Sequence, residues 1–261
     1  MSRLVVKIGG AAMESRQLLA QCAAAIRQLV IDGNEVAVVH GGGSILTRTL
    51  GRLCKNSTFI GGFRLTDAET RDVAVMVLAG LVNKSLVAAL GAEAQAAVGI
   101  CGGDGLFVRA RRKDIAGNEN GFIGEVASID ARVMEAIWGM GSVPVIASVA
   151  LGYDGEYYNI NADELASSCA AACQAAGLIF LTDVPGVKGG NGEVVHSLTS
   201  AGIAELREKA IVYGGMLPKL RACEQAVRSG VGRVRIVPAD HARFLPEFDR
   251  SPVGVGTEVT A

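Results

Sequence analysis

Charge of either sign is almost balanced in this 261-residue chain, with 25 lysines and arginines against 26 aspartates and glutamates and a formal net charge of -1. That excludes a basic field for nucleic acid and a polybasic membrane anchor, so any bound anion must be held by a few local cations. Long hydrophobic runs are also missing. Val73 to Val82 is the longest obvious one, and a bilayer span takes roughly 20 residues. The first strand-like segment begins by Leu4, which leaves no room upstream for a targeting signal, and the expectation is a cytoplasmic protein that enters no membrane. The six cysteines include no C-x-x-C pair, and His40, His196 and His241 are too scattered to form a metal cluster. Cys169 and Cys173 have helical spacing but no histidine nearby, so the cysteines read as reduced, mostly buried thiols and no protein metal site is expected. The common phosphate signatures are absent as well: there is no G-x-x-x-x-G-K-[ST], no G-x-G-x-x-G opening a helix after a strand, no H-R-D and no D-F-G.

Half of the residues are apolar, only 5% are aromatic, and 34 are glycine. This is the composition of a compact α/β protein with many strand-to-helix turns. The most telling stretch is His40-Gly41-Gly42-Gly43-Ser44. It follows Glu35 to Val39, an apolar run of the kind found in a strand buried on both faces, and it precedes Ile45 to Leu50, which can start a helix. Strand, glycine loop and helix together present backbone amides and a helix N-terminus to an anion. A tight turn that needs positive φ would also use such glycines. The device recurs, however, where Leu4 to Ile8 runs into Gly9-Gly10 ahead of a helical pattern from about Glu14 to Ile31. Lys7 interrupts that second apolar run. An ammonium inside a buried strand is costly unless it reaches an anion or the strand end, so Lys7 is a candidate phosphate ligand, with a lysine snorkelling from a strand end as the plainer alternative.

Strand and helix patterns then alternate. A helix is predicted from about Asp67 to Leu90, a strand near Ala96 to Gly99, hairpin-like segments from Leu106 to Asp130, and a helix near Ala131 to Met140. The strand Val143 to Val149, a helix from Asp163 to Ala176 and the strand Leu178 to Thr182 follow, and a helix from Lys219 to Ser229 leads to the strand Val234 to Val237. The order implies parallel βαβ units with one antiparallel insertion, in a single domain without repeats or flexible linkers. The helix around Val73 to Val82 is apolar on every side, which suits either a core helix or one half of a homodimer contact.

Six motifs occur in a fixed order: Val6-Lys7-Ile8-Gly9-Gly10, His40 to Gly43, Gly62-Phe63-Arg64-Leu65-Thr66-Asp67, Asn159-Ile160-Asn161-Ala162-Asp163, Leu181 to Val187, and Gly214-Gly215-Met216-Leu217-Pro218-Lys219. The series resembles the amino-acid kinase family, in its branch that phosphorylates N-acetyl-L-glutamate, and the match runs from Val5 to Gly256-Thr257. The resemblance implies a three-layer αβα sandwich around a mainly parallel central sheet. Residues to about 176 would form the acceptor lobe and dimer contact, and those from about 177 to 261 the nucleotide lobe. It also implies transfer of the γ-phosphoryl group of ATP to a side-chain carboxylate in arginine biosynthesis, with Mg2+ carried mainly by the nucleotide phosphates. By motif match, Lys7 and Lys219 would stabilise the transferred group from the acceptor and nucleotide sides, and Asp163 would orient the two lysines. Arg64 would take the α-carboxylate of the acceptor, Asn159 its acetamido group, and the Gly42 and Gly43 amides its reacting end. The nucleotide would lie against Gly9, Gly10, Thr182, Asp183, Gly186, Val187 and Tyr213.

Some features depart from the pattern or pull elsewhere. Ile100-Cys101-Gly102-Gly103-Asp104-Gly105 lacks the lysine that the family often has there. The family's arginine-inhibited members carry an additional N-terminal helix, so an arginine-insensitive homodimer is expected. Asn161 could be a turn residue or a helix cap. Asn159-x-Asn161-x-Asp163 superficially suggests a calcium loop but lacks the G-x5-E continuation. Arg109, Arg111, Arg112 and Lys113 could dock an acidic carrier protein bearing an amide-linked aminoadipate or glutamate, or could form a solvated hairpin edge. A non-catalytic sensor of amino acid or nucleotide would use the same fold. Neither lysine nor the aspartate has an obvious purpose in a protein that only binds.

Overall fold

Why β1 (Arg3–Ile8) is apolar almost throughout is answered by its place, hydrogen-bonded in parallel between β11 (Gly177–Thr182) and β2 (Glu35–His40) near the middle of an eight-stranded sheet. The computed structural model describes residues 2–115, 121–247 and 254–261. The sheet order is β12-β14-β13-β11-β1-β2-β8-β5, which brings in β5 (Ala97–Ile100), β8 (Val143–Ala147), β12 (Ser197–Thr199), β13 (Arg233–Pro238) and β14 (Thr257–Thr260). Every pairing in it is parallel except β13 with β14. Both faces are covered. Leu4, Val6 and Ile8 point into a core shared with α2 (Arg16–Ile31), α3 (Gly43–Arg52) and α5 (Asn83–Ala92), through residues such as Ile26, Leu46 and Leu86. Val5 points the other way, to α6 (Arg132–Gly139), α7 (Ala162–Ala172) and α9 (Met216–Arg228), among Met134, Leu165 and Leu220. Alternation of side chains across the strand thus builds two cores, and the three-layer α/β architecture follows.

The helical pattern expected from Glu14 to Ile31 divides at Ser15, which separates α1 (Gly10–Glu14) from α2 and accepts the Leu18 amide on its hydroxyl at 3.3 Å. The helix expected to Ala176 ends at Ala172, because Gln174 takes φ 53°, a left-handed conformation that cannot continue a helix. The hairpin expected between Leu106 and Asp130 is β6 (Val108–Arg112) against β7 (Ile123–Ile129), antiparallel; residues 116–120 between them lie outside the described residues. The strand expected from Val143 to Val149 breaks at Ser148, and its continuation, β9 (Val149–Gly152), leaves the main sheet. With β10 (Tyr157–Ile160) it closes a small barrel with β6 and β7. The hairpin of β3 (Phe59–Ile60) and β4 (Phe63–Arg64), and α8 (Ser200–Glu208), complete the elements that bear on the site or flank it.

The helix predicted from about Asp67 to Leu90 forms close to those bounds, over Ala68–Ala92. From α4 (Ala68–Ala74) it continues through π-helical turns over Val75–Val82 into α5, 25 residues that by length and composition alone could cross a membrane. The apolar run of ten residues is therefore only part of the element. Asn83 sits within it fully buried and donates to the Val145 carbonyl at 2.9 Å, which ties the helix to the sheet. Met76 and Leu81 are 62% and 59% exposed, so its outer face is apolar and uncovered in the single chain. Cys22, Cys101, Cys169, Cys173 and Cys223 are buried free thiols, and Cys54 is exposed.

Candidate active site

Three elements distant in sequence deliver one charge each to the same point. Lys7 comes from the C-terminal half of β1, Asp163 from the first turn of α7, and Lys219 from the first turn of α9. The start of α7 is set by Asn161, whose Oδ1 accepts the Asp163 and Glu164 amides at 2.9 and 3.1 Å, the capping role that its residue type favours. Asp163 Oδ1 is 2.7 Å from Lys7 Nζ, and Oδ2 is 3.0 Å from Lys219 Nζ. All three residues are at most 8% exposed. Burial pushes the Asp163 carboxyl up, but the two ammonium groups pull it down further, to about 2, and the helix N-terminus favours the same charge. Lys7 is pushed below its ordinary range by burial, helped by Lys219 and opposed by Asp163. The centre is a carboxylate clamped by two cations.

Lys7 and Gly10 line two cavities that meet there. The smaller, about 230 Å3, is walled by Gly41 to Gly43, Arg64 and Asn159, with Leu46, Leu78, Ile123 and Ser148. Gly42, at the head of α3, has φ 152°, and a Cβ there would lie 2.9 Å from Leu78 and 3.1 Å from Val82, so only glycine fits. Arg64 Nη2 donates to the Gly43 carbonyl at 2.9 Å and to Thr47 Oγ1 at 2.7 Å, while Nη1 donates to Ser57. Its guanidinium lies 4.6 Å over the Phe59 ring, and burial lowers its pKa. Asn159 Nδ2 donates to Thr66 Oγ1 at 3.3 Å, and that hydroxyl donates to the Arg64 carbonyl at 2.8 Å. Arg64 and Asn159 are thus joined through Thr66, a residue whose part the sequence did not single out.

The larger cavity, about 550 Å3, is lined by Gly9, Gly10, Thr182, Asp183, Gly186, Lys188, Tyr213 and Lys219. Gly186 has φ 150°, and a Cβ would meet Val194 at 2.7 Å and Thr257 at 2.9 Å. Val187 does not line the cavity, contrary to expectation. Its side chain is fully buried and its amide donates to Thr257 Oγ1 at 2.8 Å, so it anchors the loop that Gly186 turns. Tyr213 is 80% exposed at the rim. The basic run is largely committed elsewhere. Arg111 pairs with Glu125 at 3.0 Å, Lys113 with Glu164 at 2.9 Å, and Arg109 donates to the Gly152 carbonyl at 2.6 Å. Among the described residues no group of three or more His, Cys, Asp or Glu side chains is placed to hold a metal.

Comparison with known proteins follows the same lines. The model of the amino acid kinase family matches residues 2–238. The acetylglutamate kinases of Acidobacterium capsulatum and Koribacter versatilis are 57% and 52% identical to the chain, each over 99% of both sequences. The crystal structure of smu.665 from Streptococcus mutans superimposes with a TM-score of 0.84 at 29% identity, covering 99% of this chain and 98% of that one. Isopentenyl phosphate kinase shares the fold, with a TM-score of 0.68 at 20% identity over 99% of this chain and all of the other. On the family match and these full-length relatives, the chain belongs to the amino-acid kinase family.

Proposed function

We propose that this chain moves the γ-phosphoryl group of ATP onto the side-chain carboxylate of N-acetyl-L-glutamate, giving an acyl phosphate and ADP, as a step of arginine biosynthesis. The observation that carries the reading is the grip of both Lys7 and Lys219 on Asp163 where a small cavity meets a larger one. Relatives named acetylglutamate kinase, full-length and more than half identical, support the choice of acceptor.

The chemistry needs no general base, because a carboxyl of pKa about 4.3 is already ionised near neutrality. The obstacle is repulsion between an anionic nucleophile and an anionic phosphoryl group. Cations, amide donors and alignment have to lower it. In this reading Lys7, which borders both cavities, and Lys219, on the nucleotide side, neutralise the charge spread over the group in transit. Asp163 aims the two ammoniums and takes no proton: with its pKa held at about 2 it is a carboxylate at any physiological pH. Arg64 takes the α-carboxylate, Asn159 the acetamido group, and the Gly42 and Gly43 amides the reacting end. Glycines 9 and 10, Thr182, Asp183, Gly186 and Tyr213 surround the nucleotide, with Val187 supporting from beneath. Magnesium enters as part of the nucleotide substrate. Asp163, the carboxylate at the centre, already has both oxygens on lysines, and Asp183 Oδ1 already accepts from Thr182 at 3.1 Å. Residues to about 176 then form the acceptor half and those from about 177 the nucleotide half of one cytoplasmic domain. The exposed apolar face at Met76 and Leu81 is the surface for a second copy.

The test is ADP release from MgATP with N-acetyl-L-glutamate, beside glutamate and a carrier-linked aminoadipate or glutamate. We expect turnover with the free acetylated acid. Turnover only with the carrier-linked acid would replace the acceptor, and nucleotide binding without turnover on any acid would favour a sensor. Sedimentation at twice the chain mass of 26.9 kDa checks the dimer, and a monomer at micromolar concentration would remove it.

A further inference from the structure

Two fully buried polar side chains stand beneath the glycine loop and take no part in the chemistry above: His40, the last residue of β2, and Asn83, the first residue of α5. The amide of Asn83 is oriented from both ends. Its Oδ1 accepts from Lys84 Nζ at 3.2 Å, and its Nδ2 donates to the Val145 carbonyl at 2.9 Å. The same Nδ2 lies 3.1 Å from His40 Nε2, which is therefore the acceptor of that hydrogen bond. His40 Nδ1 lies 2.8 Å from the Gly41 carbonyl oxygen, an acceptor only, so Nδ1 carries the ring proton. Burial, reinforced by the charges of Lys7 on β1 and Lys84 on α5 and opposed by the Gly41 carbonyl, brings the pKa of the ring to about 4 and keeps it neutral. Each polar atom of the pair has a partner of the required kind, and only one tautomer satisfies them all.

In a trans peptide the carbonyl of one residue and the amide of the next lie in one plane and point in opposite directions within it. Tying back the Gly41 carbonyl therefore turns the Gly42 N–H away from His40, and Gly41 to Gly43 line the small cavity. Packing of Leu78 and Val82 beneath Gly42 leaves the loop little other freedom. We propose that His40 is a positioning residue: its Nδ1–H fixes the peptide plane that presents the Gly42 amide to the acceptor, and Asn83 sets the tautomer that makes the tie possible. The proposal rests on reading the small cavity as the acceptor site.

A pair of conservative variants separates this from a merely structural role. Asparagine places an amide nitrogen near the position of Nδ1, and glutamine places one near Nε2. Loss of the tie should raise the KM for N-acetyl-L-glutamate on the order of tenfold in His40→Gln, with His40→Asn within about threefold of the unaltered protein and the KM for ATP steady in both. Equal acceptor KM values in the two variants, or parallel changes in both KM values, would overturn the proposal. Nitrogen-15 spectra of the imidazoles give a second reading, since the chain has three histidines and the signal missing from His40→Asn is that of His40. A ring protonated at Nδ1 is expected, and one protonated at Nε2 would overturn the tie. If the unaltered protein failed to phosphorylate N-acetyl-L-glutamate, the acceptor reading would fall and the tautomer would still decide whether the tie exists.

Discussion

The smaller cavity encloses about 230 Å3 behind Arg64 and Asn159, side chains already bonded into one group, whereas the larger, at about 550 Å3, is lined by the charged Lys7, Asp183, Lys188 and Lys219 together with glycines and the exposed Tyr213. Arg64 is held by Gly43, Thr47, Ser57 and the Phe59 ring before any ligand arrives, and Asn159 is tied to the same group through Thr66. Across Lys7, Gly186 and the amide of Val187 shape the wall by backbone geometry. The contrast teaches where selectivity resides. On the proposed assignment, a small acid with several polar groups would be recognised by fixed side chains, and a nucleotide, most of whose surface is generic, by the roomier pocket.

Removing either of the two ammonium groups clamped on Asp163, where the cavities meet, should do the most damage. Lys7→Ala and Lys219→Ala should each lower kcat on the order of 100- to 1,000-fold with smaller changes in either KM, as steady-state rates will show. Intact kcat in either variant would mean that the cavities do not meet in a common reaction. Next, Arg64→Lys keeps the charge but loses the planar fork, and should raise the KM for the acceptor on the order of 10- to 100-fold while sparing that for ATP. A matching rise for ATP would erase the distinction between the halves.

A pH effect belongs to the side of the smaller cavity. The His40 pKa falls from an ordinary 6.5 to about 4 on folding, so between those values the unfolded chain binds the proton more readily than the folded one. Stability should therefore be fully present above 6.5, decline as pH drops towards 4, and decline less steeply over that window in His40→Asn, measured by urea unfolding. The smallest effect is expected at the nucleotide rim. Tyr213→Ala should raise the KM for ATP about two- to fivefold, since so exposed a ring contributes one partial contact.

The strands with continuous apolar runs, β1 and β2, were legible because burial on both faces leaves no polar alternation to confuse the period. The glycine loops after them were legible for the same reason, since each interrupts such a run. β9 and β10 were not, because the turn of the chain at Ser148 out of the main sheet depends on which strands close the barrel, a property of the assembled fold. In the site, Lys7 stood out as a charge in a buried strand, while Asp163 and Lys219 carried no local signal and entered only through motif resemblance. Thr47, Ser57 and Thr66, which hold Arg64 and Asn159, could not be found from residue type, since hydroxyls serve caps and turns throughout. For Val187 the sequence named the loop but not the side chain's direction, which is inward and fully buried, with the amide on Thr257 Oγ1.

The disposition of the six thiols has a practical consequence. Cys54 meets solvent, whereas burial drives Cys22 to about 12 and Cys173 to about 11 and raises Cys101, Cys169 and Cys223 as well, which keeps all five un-ionised as well as hidden. An alkylating reagent should therefore register one prompt adduct and five that wait for the chain to open, so that mass spectra taken over time become an internal clock for how often, and in which layer, this molecule breathes.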